Sequence, residues 1–434
     1  RAAATGLDGF DAMTQDRAVR RFADASQRVR RHLASAIPDG LVGSRTFDVT
    51  SSFGQVGELG RELAKRRRGL AVRPLLARYG DLVTAVMPCM LVSPDSLARF
   101  FPPQPGLFDL VVFDEASQIR VADAIGGLGR ARAAVVVGDS KQMPPTSVAE
   151  SMADSLADRL DGSNPAAADR EAAADLLAVP DEESILSECV QAGVPRRWLS
   201  WHYRSQDESL IAFSNRHYYA DRLSTFPSPL HGTADPGVHG HGVSLIRLDG
   251  HFLRSDAGKL LRTNPIEAEA VVAEIRRRFD ADPDTLPSIG VVTFNAPQRT
   301  LIEALLRDLD DDRIEAALDR TDGAGLFVKN LENVQGDERD VILFSTAFSA
   351  NARGVLPLNF GPLNQIGGER RLNVAITRAR RQVLVFSSFD PEDLRAEQTT
   401  SQGIKDLRAY LDLARSGAEA AMGASPRAPA PDRH

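Results

Sequence analysis

The chain has 434 residues, room for two or three domains at roughly 150 residues each, and its 43% hydrophobic and 26% charged content is that of an ordinary folded protein. With 33 Gly, 25 Pro and only two cysteines, Cys89 and Cys189, collagen-like, fully disordered, disulfide-framework and thiolate-zinc classes are excluded. The 52 basic and 59 acidic residues leave a net charge of −7, which by itself does not suggest a nucleic-acid partner.

No apolar run approaches the ~18 residues of a membrane helix, and no signal peptide is visible. The expected location is a reducing cytoplasm. Arg1 stands where an initiator methionine would, so the chain is expected to begin part-way through a longer protein.

Residues 1–69 read as helical and charge-rich, with one basic cluster at Arg17, Arg20, Arg21, Arg28, Arg30 and Arg31 and another at 65–68. The texture then changes. Leu110–Phe113 and Ala134–Val137 have the length and β-branched content of fully buried parallel strands. Residues 119–132 between them are long enough for a crossover helix, so the pair reads as a βαβ unit. Residues 150–183 are rich in Ala and Asp and read as a helical or loose insertion. A second α/β region spans about 195–390. Its expected strands are Val243–Leu248, Ile289–Phe294, Val341–Thr346 and Val383–Ser387, alternating with amphipathic stretches Glu267–Phe279 and Gln298–Leu309. The tail beyond Arg415 has the composition of a disordered segment.

Five constellations carry chemistry. Asp114-Glu115-Ala116-Ser117 follows a strand directly, where ligands of open α/β sheets bind. There Asp114 can hold Mg²⁺ and Glu115 can orient or deprotonate a water. Gly138–Thr146 follows the next strand, and its Gln142 can both donate and accept, as sensing a phosphate or an attacking water requires. In Trp201–Ser205, Arg204 suits bidentate phosphate contact and Tyr203 offers a stacking face, while Trp201 reads as a core aromatic. In Asn333–Asp340, Gly336 permits close backbone approach and Glu338 can bond a ribose hydroxyl. In Asn373–Arg381, Arg378 and Arg381 would share one face of a helix, and a positioned arginine can stabilise a transferring phosphoryl group. Singly, each has a plainer reading: a capping acidic pair, a stiff turn, core aromatics, a hydrophilic turn and a basic helix surface.

The order of these boxes resembles superfamily 1 helicases, in the branch that includes the upframeshift-type RNA helicase. The matching residues are Asp114–Ser117, Gly138–Pro145, Tyr203-Arg204, Thr293 to Gln298, Gln335–Glu338 and Thr377–Arg380, covering roughly residues 85–395. Phe113–Gln118 and Asn333–Asp340 look most like the very large bacterial helicase-like proteins, some of which carry a nuclease-like domain after the motor. Met143 stands where the family has Leu, a volume-conserving change.

The resemblance implies an α/β fold of two RecA-like parallel-sheet motor domains, the first incomplete, with a helical N-terminal arm. The implied segments are 1–69 arm or insertion, 70–150 the C-terminal part of the first motor domain and 151–194 insertion or linker. Then come 195–395 as the second motor domain, 396–415 a terminal helix and 416–434 a disordered tail. It implies an ATP-dependent helicase or translocase on DNA or RNA, with single strand the expected form, and with ATP and Mg²⁺ as cofactors. Asp114 and Ser117 would hold the metal, Glu115 activate water, and Gln142, Arg204 and Arg378 face the γ-phosphate. Tyr203, Asp139, Gly336 and Glu338 would bind the nucleotide, and Thr293 and Asn333 touch the nucleic-acid backbone. One departure is serious: no Gly-x-x-x-x-Gly-Lys-[Ser/Thr] loop occurs in these residues. It is expected in an upstream part of the first motor domain, and the isolated chain is expected to turn over ATP poorly. The alternatives are a non-motor nucleic-acid-binding module or an ATP-gated switch without unwinding.

Overall fold

The structure, a computed structural model, describes residues 9–145, 184–227, 237 and 239–416, apart from positions 46, 49, 256, 284, 321, 322 and 352. The Ala/Asp-rich stretch 151–183 and the tail 417–434 lie outside the described residues. The fold is parallel-sheet α/β with a helical N-terminal region, and it divides into two compact units. One comprises Arg1–Val112 and Ala122–Val135, the other Phe113–Val121 and Val136–His434. Among the described residues no helix is long and apolar enough to cross a membrane.

The first unit begins with α1 (Ala12–Gly43), capped by the Asp11 carboxylate, which accepts the Thr14 N–H at 2.9 Å. None of its residues is buried. Helices α2 (Gly54–Leu63), α3 (Val72–Val86) and α4 (Pro94–Phe100) follow, and Arg78 ties α3 to Glu58 of α2 at 2.6 Å. Strand β1 (Phe108–Phe113), helix α5 (Val121–Leu128) and strand β2 (Ala131–Val136) form the expected strand–helix–strand unit. Its expected full burial is corrected. Among the described residues the two strands pair only with each other, and Leu110, Val112 and Val135 lie about half exposed. β-Branched content says what a strand can bury, whereas burial itself requires a covering layer.

The second unit holds α6 (Ile185–Gln191), β3 (Trp201–His202), α7 (Ser209–Tyr218) and β4 (Ser224–Thr225). A larger sheet follows, built from β5 (Gly242–Arg247), β6 (Ile289–Thr293), β7 (Phe327–Asn330), β8 (Arg339–Ser349) and β9 (Ala379–Ser388). The strand order is β5-β9-β8-β6-β7 and every pairing is parallel. Its helices are α8 (Pro265–Ala281), α9 (Ala296–Arg307), α10 (Asp312–Leu318), α11 (Gly368–Ile376) and α12 (Gln402–Ser416). Four of the five strands are expected from sequence. β7 is not, being a four-residue edge strand with no alternation to announce it.

The period-2 geometry of β8 sorts its side chains into two cores. Ile342 and Phe344 join one with residues of α7, α11 and α12. Val341 and Leu343 join the other with residues of α8, α9 and α10. Helices on both faces explain why these strands read as continuous apolar runs. In β6 a glycine is required: a Cβ at Gly290 would stand 2.3 Å from the Phe327 ring of β7.

Candidate functional site

β1 leads straight into the acidic box. Glu115 takes a left-handed backbone, φ 50° and ψ 41°, which few non-glycine residues adopt. A short 3-10 turn, Ala116–Gln118, follows. The reversal is pinned from the neighbouring loop: the Ala116 N–H donates to the Val137 carbonyl at 2.9 Å, and the Val137 N–H to the Phe113 carbonyl at 2.8 Å. Both carboxylates are thereby left at the surface. The Ser117 hydroxyl is instead buried, with no hydrogen-bond partner among the described residues. A Cβ at Gly138 would come within 3.0 Å of the Ser117 nitrogen, so glycine lets the two loops close on each other.

The Gly-Asp loop is held from inside. Asp139 Oδ1 accepts the Lys141 N–H at 2.9 Å, while Oδ2 accepts from Gln142 Nε2 at 3.1 Å and from the Tyr219 hydroxyl at 2.6 Å. Asn373 Nδ2 donates to the Tyr219 oxygen at 3.0 Å and to the Lys141 carbonyl at 2.8 Å. Met143 anchors the loop in the apolar core. Burial, reinforced by the Asp139 charge, raises the Tyr219 phenol well above its ordinary value. Tyr219 therefore remains a donor throughout the physiological range.

The basic residues gather at the start of β8 and β9. Arg204 Nε donates to Glu338 Oε2 at 2.6 Å, and Arg380 binds the other oxygen of the same carboxylate. These contacts, Arg380 first, hold the Glu338 carboxyl below its usual range. Arg378 is only 3% exposed, with Nε donating to the Val374 carbonyl at 2.7 Å and Nη2 to the Thr377 hydroxyl at 3.0 Å. Burial first, and then Arg204, push its guanidinium down to about 10, while Glu115 acts in the opposite direction. Gln335 Nε2 reaches Glu115 Oε2 at 3.4 Å. The acidic box and the arginines thus share one electrostatic neighbourhood.

The expected helical face carrying Arg378 and Arg381 is corrected. α11 ends at Ile376, and the Thr377 hydroxyl donates back to the Asn373 and Val374 carbonyls at 2.9 and 3.0 Å. Arg378 therefore lies in a turn and Arg381 in β9. The β-branched Val383 and Val385 draw this segment into the sheet.

Other expected residues fall elsewhere. Tyr203 is 83% exposed and free to stack. Trp201, read as a core aromatic, is 60% exposed and is corrected; its ring lies 5.4 Å from that of Phe226. Asn333 is exposed, and Gly336 takes φ 88° in the turn before Glu338. Thr293 is fully buried, and its hydroxyl donates to the Asn295 carbonyl at 2.8 Å. It offers a strand no surface, so its expected backbone contact is corrected. His202 accepts the Ser205 N–H at Nε2. Burial, then Arg204 and Arg378, push the imidazole down to about 4, so it is neutral.

Sequence reasoning misses Tyr219 and the buried Glu267. Glu267 accepts from Ser345, Ser388 and the Ala347 N–H at 2.9, 2.8 and 2.7 Å. Its one sequence signal is Asn264 three residues earlier, a helix cap that accepts the Glu267 N–H at 3.3 Å.

Residues 182–390 match the AAA_12 family, an AAA domain. The uncharacterized ATP-dependent helicase MG140 of Mycoplasma genitalium is 33% identical over 340 residues, 77% of this chain and 28% of that protein. The chain is similar to superfamily 1 helicase-like proteins of the upframeshift-like branch. The DNA-binding protein SMUBP-2 of Mus musculus is 27% identical to this helicase-like chain over 76% of it and 29% of the relative. The chain thus spans less than a third of the length of these curated relatives. Among solved structures, the PRRSV helicase aligns at 14% identity and a TM-score of 0.27, covering 64% of this chain and 34% of the other.

Proposed function

We propose that this chain supplies much of the ATP site of a nucleic-acid-dependent ATPase that moves along a single strand of DNA or RNA. The observation that carries the reading is the gathering of Asp114 and Glu115 with Gln142, Arg204 and Arg378 in one unit, with Gln335 touching Glu115. Acid, sensor and arginine are the parts a phosphoryl-transfer site needs.

Glu115, turned out of line by its left-handed backbone, orients the attacking water and accepts its proton. Gln142 donates to the terminal phosphate, held in its rotamer by Asp139. Arg204 and Arg378 stabilise charge on the transferring group. Tyr203 stacks on the base, Glu338 and Gly336 flank the ribose, and Asn333 meets the nucleic-acid backbone. The exposed Asp114 carboxylate and the partnerless Ser117 hydroxyl, three residues on, fit Mg²⁺, a hard cation content with one or two protein oxygens. When bound, that ion would neutralise phosphate charge.

Since these residues include no lysine-bearing phosphate loop, the chain by itself is proposed to bind nucleic acid without sustained turnover. The same observation favours a second reading, a binding module or ATP-gated switch that does not unwind. The decisive test is Glu115→Gln in the longer parent protein, which should abolish nucleic-acid-stimulated ATP hydrolysis. Undiminished turnover would overturn the assignment. A strand-displacement assay separates motor from switch, since only the motor releases the strand.

A further inference from the structure

Asp139 is expected to face the nucleotide, yet its carboxylate is already occupied. One oxygen holds its own loop through the Lys141 N–H, and the other receives both Gln142 and Tyr219. Tyr219 in turn accepts from Asn373, which stands five residues before Arg378 and on the helix that ends at its turn. The chain of contacts therefore runs Gln142, Asp139, Tyr219, Asn373. It joins the loop that carries the phosphate sensor to the helix that ends in the arginine turn. The second Asn373 bond, to the Lys141 carbonyl, closes the circuit.

The backbone around Tyr219 is shaped to hold it there. Tyr219 terminates α7, and the next two residues, Ala220 and Asp221, both have left-handed backbones at φ 53° and 55°. Two consecutive non-glycine residues in that region persist only where surrounding contacts over-determine them. Asn215 supplies these contacts: its carbonyl accepts the Asp221 N–H, and its side-chain amide both donates to and accepts from Leu223. The Tyr219 ring is further packed edge-on to Trp198 at 6.4 Å, with Arg222 stacked over the same indole. The phenol is thus fixed by backbone and ring alike, and its hydroxyl is the group facing both loop and helix.

We propose that Tyr219 is a positioning residue whose hydroxyl couples the Gln142 loop to the Asn373–Arg378 turn, so that the sensor and the arginine are set together. The coupling rests on the reading of Gln142 and Arg378 as groups that face the terminal phosphate.

Tyr219→Phe removes one hydroxyl and keeps the ring. In the 434-residue chain, without nucleotide, amide hydrogen exchange should rise roughly tenfold in both 138–145 and 368–378, the worth of one bond to a charged acceptor. Faster exchange confined to one of the two segments, or to Tyr219's own surroundings, overturns the coupling. In the parent protein, Tyr219→Phe should lower kcat roughly tenfold, with KM for ATP changed less than about twofold. Combined with Gln142→Ala, it should add clearly less than its own tenfold loss, because the part of its effect that runs through Gln142 is already gone. Losses that multiply would mean a merely structural role. If Gln142→Ala leaves turnover untouched, the reading of the site falls, while the exchange experiment still judges the coupling.

Discussion

Arg204 Nε lies 2.6 Å from Glu338 Oε2. The guanidinium proposed for the terminal phosphate is thus held by the carboxylate proposed for the ribose. Arg380 on the other oxygen makes Glu338 the shared counter-charge of two arginines.

Replacing Glu338 should therefore do two things. Glu338→Ala leaves Arg204, Arg378 and Arg380 facing one another, and stability should fall by about 1 kcal/mol, since the pair is a third exposed and solvent screens it. The loss should shrink in high salt. Because the folded carboxyl lies below its usual range, its contribution is present above that range and disappears as pH falls through the folded value. Urea unfolding at two salt concentrations, at pH 7 and at pH 3.5, checks both the size and the sign.

Glu267 should behave in the opposite sense. It is fully buried, no cation among the described residues accompanies its hydrogen-bond donors, and burial pushes its carboxyl from 4.5 up to about 7. The folded state then binds the proton more tightly than the unfolded state. Stability should decline as pH rises from about 4.5 to 7, by on the order of 3 kcal/mol from this group. Glu267→Gln should flatten that part of the profile, as read by chemical denaturation at successive pH values. A parallel slope in the variant would refute the assignment.

Arg378 donates to the end of the helix before it while its charge faces Glu115 and Arg204. In the parent protein, Arg378→Ala should reduce kcat by about 10³ or more, as loss of a transition-state arginine does. Binding of a non-hydrolysable nucleotide should fall far less. Steady-state kinetics beside equilibrium binding would show whether the two effects separate.

Gly290 offers a test of the sheet alone. Gly290→Ala forces a methyl group toward the Phe327 ring and should cost about 1–3 kcal/mol through overpacking. Gly40→Ala, with open space around it, should cost nothing comparable. Thermal unfolding of the two variants makes the comparison.

How much of this is legible in sequence depends on the range of the interaction. The acidic box, the Gly-Asp loop and the arginine turn are recognisable because each is a local event, an apolar strand ending in or following a polar turn. Tyr219 carries no such sign, since its partner Asp139 is 80 residues away and a tyrosine at a helix end looks like any other. Trp201 is misread because apolar character permits burial without ensuring it. The same holds for Leu110 and Val112, whose strand has no covering layer among the described residues. Arg378 is placed on a helix because Arg-rich sequence tolerates one, whereas Thr377 ends the helix and the valines after it pull the chain into β9.

The sheet order carries a consequence for the birth of the protein. β5 is the first of the five strands to be made, yet its partner in the sheet is β9, the last. During synthesis β5 must wait through some 130 residues before its neighbour exists. β6, β7 and β8 can pair meanwhile, but the sheet closes only when residues 379–388 slot in between β5 and β8. Such long-range closure makes folding slow. Until it happens, the nascent chain carries an open apolar edge in need of protection.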